Sequence, residues 1–163
     1  MHKISERMQP MADMKRILVV SRMTKYCTVA VHYGVSLAKR YGAELSVIHV
    51  MHDPFGLEGW NLPLPNLEKD YQNLINKTRH QLNGIIENEN RSGMHIEVLM
   101  PEGDPTDVIM KTVKEKNIDL LVMLAHEEGH LEHFLFGRSN HELVRRMPCS
   151  ILLLKKEPQA VLF

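Results

Sequence analysis

The chain has 163 residues and a mass of 18.8 kDa, is 44% hydrophobic, and balances 20 basic against 20 acidic side chains. That is one domain's length, and a domain of this size buries roughly 68–70% of the surface its unfolded chain exposes, enough to fold without a disulfide or metal staple. Zero formal charge removes the phosphate-neutralising term that drives nucleic-acid affinity, and no apolar run approaches the roughly 18 residues of a membrane span, so neither nucleic acid nor membrane is an expected partner.

Residues 1–15 carry three methionines besides the initiator, several charges and Pro10, but no apolar periodicity, and they read as a mobile N-terminal arm. The domain is expected over 16–156, with 157–163 as a C-terminal tail. Its first strand is Ile17–Ser21. Ala30, Tyr33, Gly34, Leu37, Ala38 and Tyr41 then recur at helical spacing, and Gly42 closes that helix. A second strand, Leu45–His49, leads into residues 51–66, where Pro54, Gly56, Gly59, Pro63 and Pro65 mark a long irregular connection, either a pocket cover or a passive loop. A longer helical stripe follows: Leu67, Tyr71, Leu74, Ile75, Thr78, Leu82, Ile85 and Ile86, ending near Ser92–Gly93. The run Ile96–Met100 alternates in polarity from His95 onward, as an edge strand does. Asp104 before Pro105 gives a helix start, with Val108, Ile109, Thr112 and Val113 facing inward. Leu120–Leu124 and Ile151–Leu154 are apolar strands flanking a short helix over Asn140–Arg146, which stops before Pro148.

Strands alternating with helices, and no two strands joined by a hairpin turn, require right-handed crossovers and a parallel sheet covered on both faces. The predicted class is a single doubly wound α/β domain with about four helices.

His126-Glu-Glu-Gly-His130 matches the H-E-x-x-H pattern in which a helix presents two imidazoles to zinc and a glutamate acts as general base. It begins two residues after a buried strand, contains Gly129 and leaves no room for a long helix, so no metal site is assigned. Incidental binding by His126 and His130 is the weaker alternative, and a solvated polar loop is the preferred one. Neither a P-loop, nor G-x-G-x-x-G, nor a G-x-S-x-G elbow occurs. Cys27 and Cys149 are distant and no apolar leader opens the chain, which points to a reducing cytoplasmic setting. Cys149 reads as a buried structural thiol, and Cys27, near a helix start, as the better candidate for a lowered pKa. No residue demands a catalytic role, and the chain is not expected to be an enzyme.

Four stretches in order, Arg16-Ile-Leu-Val-Val20, Ala38 to Val50, Glu102 to Ile109, and Asp119 to Leu124 followed by Met147 to Leu154, resemble the universal stress protein family over Arg16 to Lys155. The resemblance implies a five-stranded sheet of order 3-2-1-4-5, an adenine nucleotide alpha hydrolase-like fold, usually a homodimer, and a role in stress survival. Ligands of such sheets bind outside the carboxyl ends at the topological switch point, here between strands one and four. That crevice would be lined by Ser21, Arg22 and Met23 on one side and by Ala125 to Ser139 on the other. Members of the family that bind ATP carry an aspartate after strand one and G-x2-G-x9-G-[ST] after strand four. This chain has Arg22 at the first place, and Leu124, Glu127, Gly137 and Arg138 at the motif positions.

Glu127 in place of a phosphate-facing glycine adds bulk and like charge. No cofactor is therefore expected through the family motif, although ATP or AMP could enter a remodelled pocket. In that alternative adenine packs on Val50, and Arg22 and Arg138 meet the phosphates near the helix start at Ser139. Pairing of Arg22 with an acid such as Glu102, Asp104 or Glu127 is the preferred reading of that residue over an anion site. The last strand is a sheet edge of Ile151, Leu152, Leu153 and Leu154 without a charge before Lys155, which invites pairing with a second copy, as in family dimers that lack ATP binding. The apolar tail 160–163 is expected to dock on that partner. The preferred reading is a homodimeric stress-response module acting through an unidentified protein partner or a small anion; the alternative is an ATP- or AMP-binding switch.

Overall fold

The structure is a computed structural model and describes residues 14–22, 27–51, 67–125, 138–146 and 148–155, with the backbone alone at 67 and 138–140. The elements run β1 (Arg16–Val20), α1 (Cys27–Tyr41), β2 (Glu44–Ile48), α2 (Leu67–Glu89), β3 (Ile96–Leu99), α3 (Pro105–Glu115), β4 (Leu120–Leu124), α4 (Arg138–Arg146) and β5 (Ser150–Leu154). All five strands pair in parallel in the order β3-β2-β1-β4-β5. The doubly wound sheet read from the sequence is the sheet observed.

Side chains of a strand point alternately to the two faces of a sheet. In β1, Ile17 and Val19 join a core with α1 and α2, through Ala30, Val31, Leu82 and Ile86, whereas Leu18 and Val20 join a second core with α3 and α4, through Ile109, Val113 and Leu143. A central strand between two helical layers has no face for water. That is why β4 is apolar throughout and β1 is apolar from Ile17 onward, with Arg16 only at its half-buried start.

The α1 stripe differs in phase from the one predicted. Its buried residues are Cys27, Ala30, Val31, Gly34, Val35 and Ala38, while Tyr33 and Tyr41 are about half exposed. A Cβ at Gly34 would overlap Val19 Cγ2, so the helix meets β1 at its smallest residue. With Val31 and Val35 turned inward, the tyrosines, whose hydroxyls favour water, stay on the flanks. Gly42, at φ +63°, ends the helix as expected. Leu74 of α2 likewise points outward, whereas Tyr71, Thr78, Leu82 and Ile86 are buried.

Helix α2 stops at Glu89 because the Asn90 side chain takes over the turn: its Nδ2 donates to Met94 O and its Oδ1 accepts from Met94 N. Helix α3 starts as read. Asp104 Oδ1 accepts from the amides of Thr106 at 2.9 Å and Asp107 at 3.1 Å, with Pro105 at the first helical position. Helix α4 begins two residues before the predicted Asn140, and Leu143 anchors it in the core. At the amino end of the sheet, Asp119 Oδ2 accepts from both Lys15 N and Arg16 N at 2.8 Å, registering β1 against β4.

Candidate functional site

Strand β1 is followed by α1 on one face and β4 by α4 on the other, which makes the carboxyl ends of β1 and β4 the topological switch point of the sheet. Ser21 sits there, 3% exposed. Its amide donates to Ile48 O at 2.8 Å, so pairing with β2 continues one residue past β1. Its carbonyl accepts from His49 Nδ1 at 2.9 Å, and its hydroxyl lies 2.8 Å from Cys27 Sγ. A carbonyl oxygen only accepts, so Nδ1 of His49 carries the proton and Nε2 is the remaining acceptor of the neutral ring. Burial lowers the His49 pKa, against the opposing pull of the Ser21 carbonyl.

Arg22 follows, partly buried, and desolvation lowers its guanidinium to about pKa 10, a group still charged at neutral pH. Next to it, β2 extends beyond its last strand residue. His49 N donates to Leu99 O, Met51 N donates to Pro101 O and Gly103 N donates to Met51 O, a set that makes a parallel bridge between Met51 and Glu102. Gly103 has φ +133°, a conformation side chains disfavour, and this turn leads into the Asp104 cap of α3. Val50 lies within this extension, half buried against the α3 and α4 core. On the other side of the switch point, Leu124 ends β4 with its side chain packed, partly buried, against the α1 and α2 core, and Ala125 N donates to Leu154 O at 2.7 Å.

Ser21 and Arg22 follow β1 and Val50 follows β2, at neighbouring strand ends. Arg138 and Ser139 form the first turn of α4, described in backbone only. Met23, Glu127, Gly137 and the pair His126 and His130 lie outside the described residues, as do the N-terminal arm and the C-terminal tail. Among the described residues, no three His, Cys, Asp or Glu side chains converge on a metal-sized site, and no helix is long and apolar enough to cross a membrane.

His49 is the residue that sequence reasoning missed. Its signal was a single imidazole closing the apolar run Leu45-Ser-Val-Ile48, where the chain leaves the core. The cysteines also depart from expectation. Cys27, read as the more reactive thiol, is 1% exposed in the α1 and α2 core, and Cys149 is only half buried, with burial pushing its thiol pKa up.

A model of the universal stress protein family matches residues 14–155. Universal stress protein YxiE of Bacillus subtilis is 24% identical over 134 residues, spanning 77% of this chain and 88% of that protein. Among solved structures, a universal stress protein family member from Burkholderia pseudomallei superposes with a TM-score of 0.64 at 19% identity, covering 89% of this chain and 98% of that one. The universal stress protein of Archaeoglobus fulgidus in complex with dAMP superposes at 0.59 and 15% identity, covering 86% and 96%. At such identities the structures speak for the fold, and the family match over 14–155 carries the assignment: this chain belongs to the universal stress protein family.

Proposed function

We propose that this protein is a homodimeric, non-enzymatic stress-response module that does not seat ATP through the family's glycine motif, and that works through a protein contact or a small anion held at Arg22. The observation that carries this reading is Leu124. At the first glycine position of the motif, β4 ends in a leucine whose side chain packs, partly buried, against the α1 and α2 core. A glycine there would leave main chain for phosphates to approach. The charge beside it supports the anion. Arg22 stands where ATP-binding members have an aspartate, and partial burial strengthens its attraction for a negative group.

Dimerisation is read from β5. Among the described residues it is a terminal strand paired only with β4, and its Leu153 is 45% exposed, as is Val144 of α4 at 37%. An apolar edge of this kind is stabilised by a second copy. Light scattering at micromolar concentration should give a dimer, and Leu153→Glu a monomer.

Binding titrations with inorganic phosphate, AMP and ATP test the ligand half of the proposal. The expected result is weak phosphate binding lost in Arg22→Ala, with ATP no tighter than phosphate because the adenosine part adds nothing. An ATP affinity tenfold or more above that of phosphate, a difference of about 1.4 kcal/mol, favours a second reading, an AMP- or ATP-responsive switch. That reading has its own support in the dAMP held by the similarly folded Archaeoglobus fulgidus protein and in the Val50 wall.

A further inference from the structure

The two terminal strands of the sheet are chemically unlike. Strand β5 presents Ile151, Leu152, Leu153 and Leu154, whereas β3 carries a charge, Glu97, on the sheet face covered by α3. The register pairs Glu97 with Ser46 of β2, and the Ser46 hydroxyl, 8% exposed, donates to Glu97 Oε2 at 2.9 Å. Lys116, just past the end of α3, donates to both carboxylate oxygens at 2.8 Å. The carboxylate is therefore drawn over the sheet face by one partner and clamped by the other. Lys116 holds it charged by lowering its pKa, with Ser46 adding to the effect and burial opposing it.

We infer that the Glu97–Lys116 ion pair keeps the β3 edge closed to a second copy of this chain, so that assembly stops at two subunits. Both side chains keep an open side, 43% exposed for Glu97 and 35% for Lys116. A strand added alongside β3 would cover that open side and strip water from two charges, which mutual attraction repays poorly. The closure matters because of β5. This inference rests on the proposed β5 dimer, in which two sheets join and leave β3, the terminal strand among the described residues, at both ends. Were those ends able to pair, successive two-fold contacts would alternate and the assembly would grow as an open chain.

The test removes both charges, because either alone still repels a neighbour. Sedimentation equilibrium of Glu97→Val with Lys116→Met, from low to high micromolar protein, should show a weight-average mass rising to at least about twice the wild-type value. The same pair of changes on a Leu153→Glu background should show one association step only. Should the wild type prove monomeric, the β5 reading fails on its own, and a new monomer–dimer step in the double variant still supports the closed β3 edge. Glu97→Thr with Lys116→Gln gives a second, gentler opening of the edge if the first variant does not fold. Folded variants, judged by unchanged circular dichroism, that keep the wild-type mass at every concentration overturn the inference.

Discussion

The Ser21 hydroxyl and the Cys27 thiol lie 2.8 Å apart inside the protein, joining the end of β1 to the first residue of α1. The contact places the thiol on the core side of the switch point, 1% exposed, so a soluble reagent meets it only when the structure opens. Native protein treated with an aromatic disulfide should therefore form one mixed disulfide, at Cys149, and expel one equivalent of aromatic thiolate from the reagent, at a rate that climbs with pH because that thiol's pKa is raised by burial. Denaturant should reveal the second. Equal fast labelling of both thiols in native protein would contradict the position assigned to Cys27.

Gly34 is where α1 rests on β1. An alanine there overlaps Val19 Cγ2 and also touches Leu45 Cδ1 at 3.3 Å. Overpacking of this kind costs about 1–3 kcal/mol, set against about 1 kcal/mol of gained helix propensity. Urea unfolding of Gly34→Ala should show a net loss. Val19→Ala in the same chain should cost less than it does alone, because the two changes make room for each other.

The Glu97 carboxyl titrates below its ordinary value of 4.5 in the folded protein, chiefly through Lys116. A carboxyl depressed by folding stabilises the protein above its unfolded pKa, and that contribution disappears as pH falls through the folded value. Glu97→Gln should be less stable than wild type at pH 7 by under about 1 kcal/mol, since both groups face solvent. The gap should shrink below pH 4.5 and close in stronger acid. A gap independent of pH would assign the effect to the Ser46 hydrogen bond instead.

Asp104 satisfies two amides of α3, an arrangement whose loss costs about 0.5–2 kcal/mol. Asp104→Ala should fall in that range by chemical denaturation, whereas Asp104→Asn should lose much less, because the amide oxygen can still accept. An unchanged midpoint for Asp104→Ala would show the cap to be redundant with Pro105.

Much of this fold was legible because its signals are local. The apolar runs of β1 and β4 announce strands buried on both faces, and Asp104–Pro105 announces a helix start. The rotation of α1 was not legible, since the i, i+3, i+4 stripe through Tyr33 and Tyr41 is as regular as the true one through Val31 and Val35. Both stripes share Ala30, Gly34 and Ala38, and which flank turns inward, Val31 and Val35 or Tyr33 and Leu37, is settled by packing against distant parts of the chain. The site divides the same way. Arg22 and Val50 could be placed from the ends of their strands, but His49 acquires its place from the carbonyl of Ser21, 28 residues away in sequence.

If Leu124 and Arg22 have replaced the seat for a triphosphate at the switch point, as proposed, protein purified without added nucleotide and then denatured should release no adenine nucleotide near one equivalent per chain when its small molecules are weighed by mass spectrometry. ATP or AMP released in stoichiometric amount would rule the replacement out.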